Sequence, residues 1–174
     1  MVEDEQLVRA AEVISGTAAT VLEGYAGRED SEGLMFSVAQ TLATVAHTGQ
    51  RDRAGRPYIT HLATVASYVT TMEEKCVAWL HDTLEDTALT EGDLRPIFGD
   101  RITDAVVAMT HTADVPYLDY VRALKHNRLA KVVKLADLRH NMDPSRQGNF
   151  TEDWQIRMKT KYLPAVRILT EDTE

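Results

Sequence analysis

Apolar residues return at three- and four-residue intervals almost from end to end of this chain, and that periodicity commits it to helices. Leu7, Ala10, Ala11, Ile14, Ala18, Val21 and Leu22 mark a first helix over 5–25, which Gly27 and the charged Arg28–Asp30 close. A second is expected from Ser31 to about His47, with Gly49 as its stop. Pro57 suits a first turn, and Ile59, Leu62, Val65, Ala66, Tyr68 and Val69 supply a stripe over 58–72. Further helices are expected at 73–84, at 90–98 with Thr90 and Asp93 as a capping pair and Gly99 as the stop, and at 100–110, 116–126, 128–142 and 151–170. Arg51–Arg56 and 143–149 lack the period and read as loops. The β-branched pairs Val106–Val107 and Val132–Val133 fall inside helical patterns, so the fold class is all-α, a single helical bundle. A length of 174 residues suits one compact domain. Residues 1–30 read as a helical extension ahead of the main unit over 31–174.

Charge narrows the partners. A net charge of −8 argues against nucleic acid and membrane surfaces, so an anionic small molecule would need a local basic pocket. Apolar runs stay well short of the roughly 18 residues of a spanning helix, and three acids precede any apolar stretch, unlike a secretory leader. The expected location is therefore the cytoplasm. Cys76 is the only cysteine, which excludes an internal disulfide and a thiolate zinc cage; among Val77, Ala78, Trp79 and Leu80 it reads as core. Nothing in the sequence sets an oligomeric state.

The chemistry concentrates in His81-Asp82-Thr83-Leu84-Glu85-Asp86, which places four ionisable side chains in six positions beside an apolar helix. On a helix, His81 and Glu85 stand one turn apart, as do Asp82 and Asp86. Consecutive imidazole and carboxylate groups offer nitrogen and oxygen ligands suited to manganese, iron, magnesium or zinc. The second acidic pair stays free to handle water. Two other segments suit completion of such a site. His61 lies in the early turns of an apolar helix, and Asp137 lies among Val132, Val133, Leu135, Ala136, Leu138 and Met142, where a carboxylate is costly unless paired or metal-bound. Lys134, Asp137 and Asn141 share one helical face. Singly, His61 reads as a core histidine and Asp137 as a salt-bridge partner of Lys134; together the three segments point to a site with coordination positions left for water.

The ordered segments HTGQRDRAGRPYITH, WLHDTLEDT and VKLADLRHNMD resemble the hydrolase domain of the Rel/Spo alarmone enzymes and of the free-standing small alarmone hydrolases, over about residues 35–170. The resemblance implies an HD-type phosphohydrolase domain over 31–174, with Mn²⁺ or another divalent metal bound by His61, His81, Asp82 and Asp137. It implies that Glu85 and Asp86 orient and deprotonate the attacking water and that Asn141 contacts the nucleotide. The implied reaction removes pyrophosphate from the 3′ position of ppGpp or pppGpp, leaving GDP or GTP. Between Arg122 and Arg146 the chain carries seven basic residues against two acids, a local reversal suited to polyphosphate; Lys134 and Arg146 are the contacts expected from that stretch. With no room for a synthetase or regulatory modules, a stand-alone hydrolase is expected.

Two departures bear on the substrate. Where the family loop typically reads arginine-lysine-serine, with the arginine stacking on guanine, this chain has Asp52-Arg53-Ala54. Arg51, Arg53 and the ring of Tyr58 are the candidates to replace it. In addition, DLRHN stands where the long enzymes usually have DRLHN. The altered loop keeps open a same-fold hydrolase acting on (p)ppApp, on the 2′-phosphate of NADPH or on another phosphorylated nucleotide, and, in a different class, a non-catalytic nucleotide sensor. His47 is read as structural or substrate-adjacent, and His111, His126 and His140 are given no role.

Overall fold

The computed structural model of the chain describes residues 13, 16–24, 30–144 and 152–171. Residues 16–24 are helical (α1); the rest of the expected first helix, the 145–149 part of the second loop and Arg146 lie outside the described residues. The bundle then runs through α2 (Ser31–Ala46), α3 (Ile59–Ser67), α4 (Met72–Leu80), α5 (Thr83–Asp86), α6 (Glu91–Met109), α7 (Tyr117–Leu124), α8 (Arg128–Asn141), α9 (Glu152–Arg157), a π-helical turn (Met158–Tyr162) and α10 (Leu163–Thr170). The described residues contain no β-strand, only an isolated bridge between Arg51 and Pro57. The all-α expectation holds.

The centre of the bundle is α4. Its consecutive residues Cys76, Val77, Ala78, Trp79 and Leu80 are all buried, which requires neighbours on every side. α2, α3, α6 and α8 supply them. Leu42, Leu62, Val65, Val106, Val133 and Leu138 complete the apolar interior around it.

Three boundaries differ from expectation, each for a local reason. The helix expected over 58–72 stops at Ser67, because the Thr70 and Thr71 N–H groups donate to the Glu74 carboxylate, both at 2.9 Å, and start α4 with a capping box. The helix expected over 73–84 ends at Leu80, and the Thr83 hydroxyl donates to the Leu80 carbonyl at 2.6 Å across the corner before α5. That corner carries His81 and Asp82. The single helix expected over 151–170 is interrupted by the π turn. Pro164 has no N–H to return to the preceding turn, and the wider turn accommodates the change of register. Gly99 divides α6 as expected, at φ 68° and ψ 179°, a conformation essentially reserved for glycine.

Candidate metal and substrate site

Histidines from two helices and an aspartate from a third converge in the interior. His61 (α3), His81 (at the end of α4) and Asp137 (α8) each offer a ligand atom, all within 4.8 Å of one another, and are 1, 1 and 4% exposed. Asp82 closes the group. Its Oδ2 lies 3.5 Å from His61 Nε2 and 3.0 Å from His81 Nε2, while Asp137 Oδ1 lies 3.3 and 3.8 Å from the same nitrogens.

The groups behind these atoms orient them. His81 Nδ1 sits 2.8 Å from the Ala78 carbonyl, which only an N–H can satisfy, so Nε2 faces the carboxylates. That Nε2 is buried without an aligned hydrogen-bond partner, despite Asp82 Oδ2 at 3.0 Å. His61 Nδ1 meets His140 Nδ1 at 2.7 Å, their rings stacked 5.0 Å apart; with the shared proton on His61, its Nε2 is likewise left as a donor atom. Tyr58 Oη donates to Asp82 Oδ2 at 2.6 Å. Lys134 Nζ donates to Asp137 Oδ2 at 2.9 Å and Asn141 Nδ2 to Asp137 Oδ1 at 2.5 Å.

Electrostatics follow from this crowding. Burial opposes a charge on His81, but Asp82 and Asp137 outweigh it and lift the imidazole to about 9. Burial also works against ionising the aspartates, yet Lys134 holds Asp137 well below the usual carboxylate range, and His81 with His61 does the same for Asp82. The cluster thus draws positive charge. An unpartnered buried imidazole nitrogen facing two ionised carboxylates is the donor set of a borderline divalent cation, so these residues fit a metal.

Beside the cluster opens a pocket of about 370 Å³. His61, Asp82 and Asp137 reach it from one side, with Glu85 and Asp86 next to them; Arg51, Asp52, Arg53 and Tyr58 flank it; Lys134, Asn141, Tyr117, Arg157, Lys161 and Tyr162 line it from α7, α8, the end of α9 and the π turn. Glu85 Oε2 accepts the His111 N–H at 3.0 Å. Burial, then the charges of Asp82 and Glu85, raises the Asp86 carboxyl. Gln50 steadies that turn, donating to the Asp86 carbonyl at 2.8 Å, while its Oε1 pairs with His47 Nδ1 at 2.7 Å.

The structure therefore brings together the expected metal and acid residues with Arg51, Arg53, Tyr58, Lys134 and Asn141, with His81 buried behind the pocket wall. Two candidates take tasks within the protein: Tyr58 holds Asp82, and Lys134 holds Asp137. Asp52 is a turn staple. Its Oδ1 accepts the Ala54 and Arg56 N–H groups, both at 2.9 Å, and its Oδ2 faces the Arg56 guanidinium, while Arg51 donates to the Gly55 carbonyl at 2.7 Å.

Other contributors went unread. His140, given no role, backs His61; it stands three residues after Asp137, and that helical spacing was the available signal. Lys161 and Tyr162 reach the pocket from a π turn that a regular helical period conceals, and Arg157 reaches it from the end of α9 just before that turn.

The HD domain family profile matches residues 39–145. Among curated proteins, the bifunctional (p)ppGpp synthase/hydrolase SpoT of Escherichia coli is 32% identical over 119 residues, which are 60% of this chain and 17% of that one. The GTP pyrophosphokinase rsh of Brucella melitensis is 30% identical over 149 residues, 75% of this chain and 19% of that one. This chain thus spans less than a fifth of the length of those relatives. A solved structure of a metazoan ortholog of SpoT that hydrolyzes ppGpp superposes with a TM-score of 0.65 at 23% identity, over 78% of this chain and 85% of that one, a likeness of fold. With the family profile running over most of the chain and across every residue of the buried cluster, the chain belongs to the HD domain family.

Proposed function

We propose that this chain is a metal-dependent phosphohydrolase that removes pyrophosphate from the 3′ position of guanosine 3′,5′-bis(diphosphate) or its 5′-triphosphate analogue, leaving GDP or GTP, with Mn²⁺ as the metal. The observation that carries the reading is the adjacency of a buried His61–His81–Asp137 cluster, closed by the partly exposed Asp82, to the acids Glu85 and Asp86 along a polar pocket. The hydrolase activities for which SpoT of Escherichia coli and the metazoan ortholog are named support it.

His61, His81, Asp82 and Asp137 would hold the cation, which when bound supplies Lewis-acid activation of water and of a phosphoryl oxygen. The remaining work belongs to the chain. Asp86, its carboxyl raised by burial and by neighbouring acids, is suited to accept a proton from the attacking water. Glu85, fixed by the His111 N–H, orients that water toward the phosphorus bonded to the 3′ oxygen. The electron pair of the breaking P–O bond goes to the 3′ oxygen, which is left as a hydroxyl once protonated. Asn141, already donating to Asp137, stands at the pocket edge to meet the nucleotide.

One observation favours a second reading of the substrate. Asp52 occupies the loop beside the pocket as a staple for its own turn, so guanine recognition has to come from other side chains, and (p)ppApp or the 2′-phosphate of NADPH are the competing substrates. The test is to incubate metal-free protein with ppGpp, with and without Mn²⁺, beside Asp82→Ala. Mn²⁺-dependent release of GDP and pyrophosphate that the variant lacks is the expected result. No turnover of ppGpp would overturn the guanosine assignment, and the same assay with (p)ppApp and NADPH separates a hydrolase of other specificity from a nucleotide sensor.

A further inference from the structure

We infer that Lys161 is the cation through which this pocket grips a diphosphate of its substrate, a role that rests on the proposed nucleotide chemistry. Five lysine and arginine side chains line the pocket, and Arg53, which like Lys161 makes no ion pair among the described residues, is exposed on its loop, where solvent screens its charge. Lys134 is engaged at 2.9 Å by Asp137, and the Arg51 guanidinium donates to the Gly55 carbonyl at 2.7 Å. Arg157 faces Asp153 at 3.9 Å. Lys161, in contrast, makes no ion pair among the described residues, and its Nζ stands 4.2 Å from the Tyr117 ring centre on the pocket wall.

Its position is built rather than incidental. The π turn widens the C-terminal helix at Met158–Tyr162, and Tyr162, next in sequence, is buried in the core and anchors the turn. A regular helix through this stretch would carry residue 161 to a different angle. Tyr117 then holds the ammonium by its ring face, which keeps the stem extended without neutralising the charge. Burial, followed by the facing charge of Lys134, makes the charged form of Lys161 harder to keep in the ligand-free protein. An anion carrying two or more charges relieves both costs, and a compact ammonium suits phosphate oxygens.

Two diphosphates fit this chemistry, the one on the 5′ carbon and the one that leaves from the 3′ carbon. The experiment compares wild type, Lys161→Met and Lys161→Arg in calorimetric titrations with GDP and with inorganic pyrophosphate in the presence of Mn²⁺. Methionine keeps the apolar stem over Tyr117, and thermal melts of the three proteins establish that each is folded. The expected result is a loss of about tenfold or more in affinity for at least one ligand in Lys161→Met, largely restored in Lys161→Arg. Loss for GDP assigns the lysine to the 5′-diphosphate, and loss for pyrophosphate alone assigns it to the leaving group. Unchanged affinity for both, or no binding of either by wild type, overturns the inference. Diphosphate binding that depends on Lys161 in a protein that does not turn over ppGpp would instead sink the proposed reaction and leave Lys161 standing.

Discussion

Lys134 brings its charge into the interior, and the structure gives that charge one task. Its ammonium meets Asp137 at 2.9 Å and lies 5.9 and 5.6 Å from the ring centres of Tyr117 and Tyr120, at the edge of the pocket that it helps to line. Burial disfavours the charged lysine, but Asp137 more than reverses this and keeps it protonated. The consequence for a bound cation is indirect: with Oδ2 held by Lys134, Oδ1 is the oxygen presented to His61 and His81. Substituting Lys134→Met frees the carboxylate to rotate away from the orientation that presents Oδ1 to the histidines, and this loss of orientation outweighs the removal of a neighbouring positive charge. The expected outcome is a loss of about 10–100-fold in Mn²⁺ affinity, the range seen when groups behind metal ligands are removed, read by titration calorimetry. If affinity is unchanged while the KM for nucleotide rises, Lys134 contacts substrate instead, as its basic character alone suggested.

At the scale of the element, α4 is the helix whose end delivers His81, and its beginning is fixed by charge. Burial alone would raise the Glu74 carboxyl, but the Thr71 and Thr70 N–H groups overcome it and hold the pKa below the ordinary 4.5. A carboxylate whose folded pKa is depressed contributes stability that is fully present above the ordinary value and is lost as pH falls through the folded value. Glu74→Gln should therefore be less stable than wild type by about 0.3–1 kcal/mol at neutral pH, with the difference closing at pH 3; urea unfolding at both pH values measures it. A difference that persists at pH 3 would show that shape rather than charge makes the cap. The same helix marks where the fold could and could not be read in advance. The stripes of α2 and α8 and the break at Gly99 are local patterns, and they stand close to where their residues place them. The corner after Leu80 is not a local pattern, because apolar spacing continues through Leu84 while Thr83 takes the Leu80 carbonyl. The cluster was legible only from three segments taken together and the family resemblance they carry, because singly His61 reads as a core histidine and Asp137 as a salt-bridge partner of Lys134. Lys161 was hidden because its pocket exposure depends on a π turn, and His140 because its partner lies 79 positions away.

At the scale of the molecule, the cluster is the point where the central helices meet. α3, α4 and α8 pack pairwise against one another, and each contributes at or near its end a ligand atom to the same interior point. Two ionised carboxylates at that point are balanced by Lys134 and by the protonation that His81 favours there. A cation held by all four side chains would cross-link the three helices in the folded state alone, since the unfolded chain does not bring 61, 81 and 137 together. Ligand binding at a free concentration about 100 times Kd adds about 2.7 kcal/mol. For a chain of this length, about 2–4 °C per kcal/mol turns that into a rise in Tm of roughly 5–10 °C with Mn²⁺, reversed by EDTA. His61→Ala should shrink the rise, because it removes the α3 ligand and leaves only the side chains of α4 and α8 on the cation. The measurement also separates two origins of metal dependence. If turnover requires Mn²⁺ but the melting temperature of the substrate-free protein ignores it, the cation arrives with the nucleotide's phosphates, and the buried histidines serve to receive that complex rather than to store the metal.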